Sequence, residues 1–201
     1  MNLFDILMNK QSQTIPKGFI YIPDFISDNF GNDIYNKLEE DKGWFAVSNN
    51  DKSRKVINYG YKYNYKSKNS GQECTKFPDY IIELQHKIEN YLKLLDLNSS
   101  FNQCIINKYL PGQGIGYHTD SEAFDNIIVG VSLGSGIEMI FRNNDNTFIK
   151  YLKPNSIFIM HDECRYHWTH EIKRKKYDIV EHKRIERGTR ISVTFRHVKN
   201  I

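Results

Sequence analysis

The stretch NKYLPGQGIGYHTD, residues 107–120, reads as a strand, a glycine-spotted loop and a closing His-x-Asp. Asn107 and Tyr109 fall on one face of that strand, because side chains alternate with a period of two. His118 and Asp120 end the loop two residues apart. A solvated turn with a capping aspartate would account for them. Two legs of a metal site would account for them equally, provided the chain supplies a third.

Around this stretch the chain is a series of short β-rich runs: 101–110, 127–133, 137–142, 147–152, 156–160, 165–170 and 190–198. Turns such as GSG and NNDN part them. Upstream, GFIYIPDFI, 18–26, alternates like a strand, and Pro23 confines it to an edge or an end. Ser27 or Asp28 caps a predicted helix over 29–41. KVINYGYKYNY, 55–65, is β-rich around a glycine that signals a bulge or a close approach. FPDYIIELQHKIENYLKLL, 77–95, is the clearest helix, opened by Pro78 and Asp79. The predicted fold class is α+β, mainly β: a sandwich or jelly roll with the helices packed outside one sheet. A domain over 16–201 preceded by an extension, 1–15, is the simplest division.

The chain has 201 residues, 39% hydrophobic and 26% charged, which excludes a disordered chain and suits one domain with a core. A net charge of +4 is compatible with a polyanionic partner. Cys74, Cys104 and Cys164 are far apart and form no CxxC pair, which points to a reducing compartment. There is no basic leader and no apolar run long enough to span a bilayer. The expectation is an intracellular monomer, cytoplasmic or nuclear, with no membrane partner.

The third leg lies in CRYHWTHEI, 164–172, where His167 and His170 compete. On a strand, an odd offset turns only one of them inward. HxxH is not the i, i+4 spacing of helical zinc motifs, and no cysteine set accompanies it. His-x-Asp followed fifty residues later by His is the linear form of a 2-His-1-carboxylate triad. That geometry leaves iron positions open for a co-substrate and dioxygen. RISVTFR then places Arg190 and Arg196 six apart on one strand face. Inward arginines are costly unless each meets an anion. A dicarboxylic acid would satisfy them, since a guanidinium grips a carboxylate through two hydrogen bonds. Asn107 and Tyr109 can donate to the same acid.

With VSLGSGIEMIF (131–141) and SIFIMHDECRYHWTHEI (156–172), these motifs stand in the order and spacing of the AlkB family of Fe(II)- and 2-oxoglutarate-dependent dioxygenases, which the chain resembles over 16–199. YGYKYNY, 59–65, resembles the family's substrate-side segment. The resemblance implies a double-stranded β-helix, Fe(II), 2-oxoglutarate as co-substrate, and O2. It implies His118, Asp120 and His170 as catalytic iron ligands, WTH being the part that aligns. Asn107, Tyr109 and Arg190 match the 2-oxoglutarate contacts, and Arg196 the second arginine of RxxxxxR. Ser192 stands where the bacterial founding member has an asparagine, which alters one co-substrate hydrogen bond. Glu122 replaces an aspartate near the substrate base. Segments 59–65 and 163–172 are similar to those of eukaryotic members that hydroxylate a modified wobble uridine in tRNA, in their oxygenase domain.

The implied reaction hydroxylates a substrate while 2-oxoglutarate becomes succinate and carbon dioxide. A hydroxylated N-methyl group leaves as formaldehyde; on carbon the hydroxyl stays. The implied partner is DNA or RNA with its base flipped out or single-stranded, since a stacked base cannot reach such a pocket. Tyr59, Tyr61, Tyr63 and Tyr65 alternate, and Tyr61 and Tyr63 are predicted to stack on the base, worth about 1–3 kcal/mol each. Lys173, Arg174, Lys175 and Lys176, followed by Lys183, Arg184 and Arg187, are predicted to meet phosphates. The expected activity is oxidative demethylation of N-alkylated bases. Alternatives are a tRNA uridine hydroxylase, a protein-side-chain oxygenase and a non-catalytic nucleic-acid-binding module.

Overall fold

The computed structural model describes residues 14–48, 53–64 and 69–199, so the expected extension lies almost wholly outside it, as does Tyr65. The first half runs β1 (Phe19–Ile22), α1 (Asp28–Glu40), β2 (Phe45–Ala46), β3 (Lys55–Tyr59), β4 (Tyr61–Asn64), β5 (Asn69–Glu73) and α2 (Asp79–Leu94). The second runs β6 (Gln103–Tyr109), β7 (Ile115–His118), β8 (Ile128–Gly134), β9 (Ile137–Asn143), β10 (Asn146–Leu152) and β11 (Ile157–Met160). It ends with α3 (Asp162–His167), β12 (Thr169–Ile172), β13 (Tyr177–Val180), β14 (Lys183–Glu186) and β15 (Arg190–Arg196).

A seven-stranded sheet, ordered β1-β11-β8-β15-β6-β3-β2, faces a four-stranded one, β10-β9-β12-β7. Every strand pairing is antiparallel. This is the expected mainly β jelly roll. Ser27 caps α1 by accepting the Phe30 N–H at 3.4 Å. Ile34 and Leu38 of α1, and Ile81, Leu84, Ile88 and Leu92 of α2, are fully buried at helical spacing. They pack with Ile106, Val193 and Phe195 in a core outside the large sheet. A second core lies between the sheets, around Phe141, Phe148, Phe158 and Trp168. Even positions of β6 and odd positions of β15 face the outer core; the others, with most of the polar side chains, are left for the interior of the roll.

Three expectations are corrected. The run 55–65 is two strands, broken at Gly60, whose φ is +79°. A Cβ there would sit 1.9 Å from the Asn102 carbonyl oxygen, so the close approach requires glycine. Tyr59 therefore does not share a face with Tyr61 and Tyr63: it is buried in the outer core and donates its hydroxyl to Asp41. The run 165–170 is not one strand. Cys164, Arg165 and Trp168 are all buried, a spacing that one helical turn satisfies and an alternating strand does not. Finally, 177–186, absent from the predicted β-rich runs, is a β-hairpin.

Arg187, expected at phosphates, closes this excursion from within. It donates Nε–H to Asp178 at 2.7 Å, Nη1–H to the Lys173 carbonyl at 2.7 Å and Nη2–H to Asp178 at 2.5 Å. Both partners are buried. Burial disfavours the Asp178 carboxylate, but the Arg187 hydrogen bonds and charge outweigh it and hold its pKa below the usual range. The pair therefore stabilises the fold fully above the unfolded carboxyl value of about 3.9, and that stability is lost as pH falls through the lower folded value. Arg187→Met leaves a buried carboxylate that Lys175, 3.8 Å away, does not grip bidentately. Urea unfolding at pH 7 is expected to show a loss of about 3–5 kcal/mol, shrinking at pH 3.

Candidate active site

His118 ends β7 and His170 lies on β12, directly opposite it in the register. Their ring centroids are 4.3 Å apart. His118 Nδ1 lies 2.9 Å from the Gly116 carbonyl. A carbonyl only accepts, so Nδ1 carries a hydrogen and Nε2 is the nitrogen left to face a metal. On β12, His170 and Ile172 are buried by strand alternation, as is Trp168 just before the strand, while His167 is exposed at the end of α3. Burial, reinforced by the His118, Arg196 and Arg165 charges, pushes His170 down to about 3 against the pull of Asp120. It is a neutral imidazole at physiological pH.

Asp120 is 9% exposed. Its Oδ1 accepts both Nε–H (2.9 Å) and Nη2–H (2.6 Å) of Arg196. Burial opposes ionisation, but Arg196, His170 and His118 hold this carboxyl far below the usual range. Its Oδ2 has no hydrogen-bond partner and lies 3.7 Å from His170 Nε2. Two imidazoles and an orphaned, ionised carboxylate oxygen are a donor set that fits Fe(II). Among the described residues no such trio is yet closed around one point.

These groups border a cavity of about 270 Å³. Its far end is Arg190, which is 2% exposed and fully within the roll. Arg190 donates to Ser132 Oγ at 2.9 Å and Ser192 Oγ at 3.4 Å, and its Nη1 has no partner. Burial lowers its pKa to about 10, so it remains a cation at neutral pH. Asn107, Tyr109, Ser192 and Thr194 line the same space. The cavity thus offers a fixed positive charge and several hydroxyl and amide groups at one end, and His118, Asp120 and His170 nearer the other.

Of the predicted substrate contacts, Tyr63 lines the cavity and packs against Phe124 with ring centroids 5.7 Å apart. Tyr61 does not line it; its hydroxyl lies on the β4–β5 ribbon, 3.5 Å from Glu73. Glu122 is exposed outside the cavity, although its neighbour Ser121 borders it. Lys173, Arg174 and Lys176 are exposed beside the 110–114 loop, whose Gly112 N–H donates to the Lys175 carbonyl. Lys175 is diverted to Glu138 at 2.9 Å.

Sequence reasoning missed two arginines. Arg54 lines the cavity and donates Nε–H to Asn107 Oδ1 at 2.8 Å, which orients that amide. Arg165 is 2% exposed and donates only to backbone carbonyls: Asp120 (3.0 Å), Ser121 (2.6 Å), Phe124 (3.4 Å) and Asp125 (3.4 Å). It ties α3 to the loop that carries the carboxylate donor. The available signal was its place five residues before His170, on the same motif. Arg165→Met is expected to speed amide exchange across 120–125 and weaken Mn(II) binding by about 10–100-fold, as loss of supporting contacts to metal ligands does. Lysine, without the fork, is expected not to rescue it.

The profile of the 2OG-Fe(II) oxygenase superfamily matches residues 18–196. Uncharacterized protein L905 of Acanthamoeba polyphaga mimivirus is 34% identical over 90% of this chain and 85% of its own length. The tRNA (carboxymethyluridine(34)-5-O)-methyltransferase ALKBH8 of Macaca fascicularis is 31% identical over 93% of this chain, which spans only 31% of that protein. The solved structure of OsALKBH1 superposes with a TM-score of 0.73 at 17% identity, over 91% of this chain and 97% of that one. No helix among the described residues is long and apolar enough to cross a membrane. The chain belongs to the 2OG-Fe(II) oxygenase superfamily and is an AlkB-type dioxygenase domain, whose family implies Fe(II), 2-oxoglutarate and O2.

Proposed function

We propose that this domain oxidatively demethylates N-alkylated bases in DNA or RNA, with His118, Asp120 and His170 holding Fe(II). The observation that carries this reading is one cavity with two histidines and an aspartate at its side, a buried cation at one end and aromatic rings at the other. Iron, with 2-oxoglutarate and dioxygen, supplies the oxidant for hydroxylating a C–H bond while the acid is converted to succinate and carbon dioxide.

The chain's own groups do the positioning. Arg190 meets the distal carboxylate of 2-oxoglutarate, helped by Ser132 and by Ser192, which stands in for a longer amide. Asn107 and Tyr109 donate to the same acid. Arg196 neutralises Asp120 and keeps it ionised. Tyr63 and Phe124 receive the flipped base. Lys173, Arg174 and Lys176 meet phosphates. The working unit is a monomer, with 16–201 as the oxygenase domain behind a short extension, in the cytoplasm or nucleus; Cys74, Cys104 and Cys164 are all unbridged.

A second reading, hydroxylation of a modified uridine in tRNA, rests on the likeness to the macaque tRNA-modifying protein. Incubation with Fe(II), ascorbate, 2-oxoglutarate, methylated DNA and RNA oligomers and tRNA separates the two by nucleoside mass. Loss of a methyl group supports demethylation. Gain of one oxygen on a tRNA uridine replaces it with the second reading. Succinate formation with every nucleoside unchanged sends the search to protein side chains, and no succinate leaves a binding module. Neutralising Lys173, Arg174 and Lys176 is expected to weaken nucleic-acid binding at all sequences and to flatten its salt dependence by about 0.7 per lost single-strand phosphate contact. An unchanged slope removes these residues from the interface.

A further inference from the structure

The floor of the cavity is the inner face of the large sheet, and the register orders it in rows. Tyr109 opposes Arg190, and the next row is Val56, Asn107, Ser192 and Ser132. These rows make the acid-binding end. Beyond them in the register come Asn58, Ile105 and Thr194, then Gln103 and Arg196, of which Ile105, Thr194 and Arg196 line the cavity. This second end is also polar. Its occupant is not the acid, whose fixed cation lies at the other end.

Asn58 is the residue here without an assignment. Its neighbours Ile57 and Tyr59 belong to the outer core, so strand alternation turns Asn58 inward, beside the cavity-lining Ile105. It is 8% exposed, and neither its Oδ1 nor its Nδ2 has a hydrogen-bond partner. Arg196 Nη1, also buried at this end, lacks one as well. An amide buried with both functions idle is costly, and a polar ligand that docks there recovers the loss. The aromatic walls meet at the same end: Tyr63 feels the charges of Asp120 and Arg196, and Phe124 lies 5.0 Å from the Arg196 guanidinium.

We propose that Asn58 reads the edge of the target base. Its carboxamide presents a donor beside an acceptor, the complement of a base edge with the same two functions side by side. Adenine offers such an edge through its amino group and a ring nitrogen, and uracil and guanine through N–H and C=O. This rests on the nucleic-acid reading above, and it makes the substrate a base that keeps such an edge beside the alkyl group.

The test is Asn58→Leu, close in size and without the amide, with Asn58→Ala as the smaller alternative. The substrates are tRNA and the methylated oligomers. The readouts are kcat/KM by nucleoside mass, thermal stability, and 2-oxoglutarate affinity measured with Mn(II). The proposal expects turnover of nucleic acid to fall about 10- to 100-fold while stability is kept or raised and 2-oxoglutarate still binds. Wild-type turnover in a folded Asn58→Leu overturns it, and so does an equal loss of 2-oxoglutarate affinity, which would mark a structural role. If the unaltered protein changes no nucleic acid in the panel, the underlying reading fails and takes this proposal with it.

Discussion

Asp120→Ala is expected to remove metal binding and destabilise the fold at once. The carboxylate has two occupations on its two oxygens: Oδ2 faces His170, and Oδ1 takes two hydrogen bonds from Arg196. Alanine deletes the anionic metal donor and leaves the Arg196 cation buried without its counter-charge. Breaking a buried pair from one side costs about 3–5 kcal/mol. For a chain of this size each kcal/mol moves the melting temperature by about 2–4 °C. Calorimetric unfolding is therefore expected to shift down by roughly 10 °C. Mn(II) titration checks the other half and is expected to show no specific binding. An Asp120→Ala protein as stable as its parent would mean that Arg196 finds another partner at no cost.

Arg190→Met has the opposite sign for stability. Among the described residues Arg190 has two hydroxyl acceptors, the Tyr109 ring 5.7 Å away and one idle nitrogen, a desolvated cation with no carboxylate against it. Methionine has similar length and needs no partner. Replacing buried charges by apolar side chains of similar volume is neutral or stabilising by about 1–4 kcal/mol. Affinity for 2-oxoglutarate falls, because truncating one member of a buried charge pair across an interface costs about 2–5 kcal/mol. That is roughly 30-fold to several thousandfold in Kd. The joint outcome, a firmer protein that no longer binds the acid, separates a ligand-binding cation from a structural one. A structural Arg190 would lose stability on replacement.

The parts of the site legible in the sequence are those governed by local periodicity. Even offsets along RISVTFR put Arg190 and Arg196 on one face, and the same rule extends to Thr194, which also lines the cavity. His-x-Asp and WTH lie side by side, His118 opposite His170 and Asp120 3.7 Å from it, because β7 and β12 pair. What failed depended on distance between segments. That Arg196 would pair with Asp120 joins residues 76 positions apart, and no local pattern encodes it. Tyr61 and Tyr63 are equivalent by alternation, but the β4–β5 pairing slips its register between Lys62 and Tyr63, and of the two only Tyr63 lines the cavity. Arg187 and Lys175 were counted among surface charges, yet Asp178 and Glu138 hold them. A charge run does not say which of its members find partners. Arg165 was hidden because its acceptors are carbonyls, which every residue has.

The central claim is that the two histidines, Asp120 and Arg190 form one site for a metal and 2-oxoglutarate together. Titration of 2-oxoglutarate into the Mn(II)-loaded chain, by calorimetry, tests it most directly. The account predicts one-to-one binding that requires the metal and is lost in both His170→Ala and Arg190→Met. Binding of equal strength without metal, or undiminished in either variant, would contradict it.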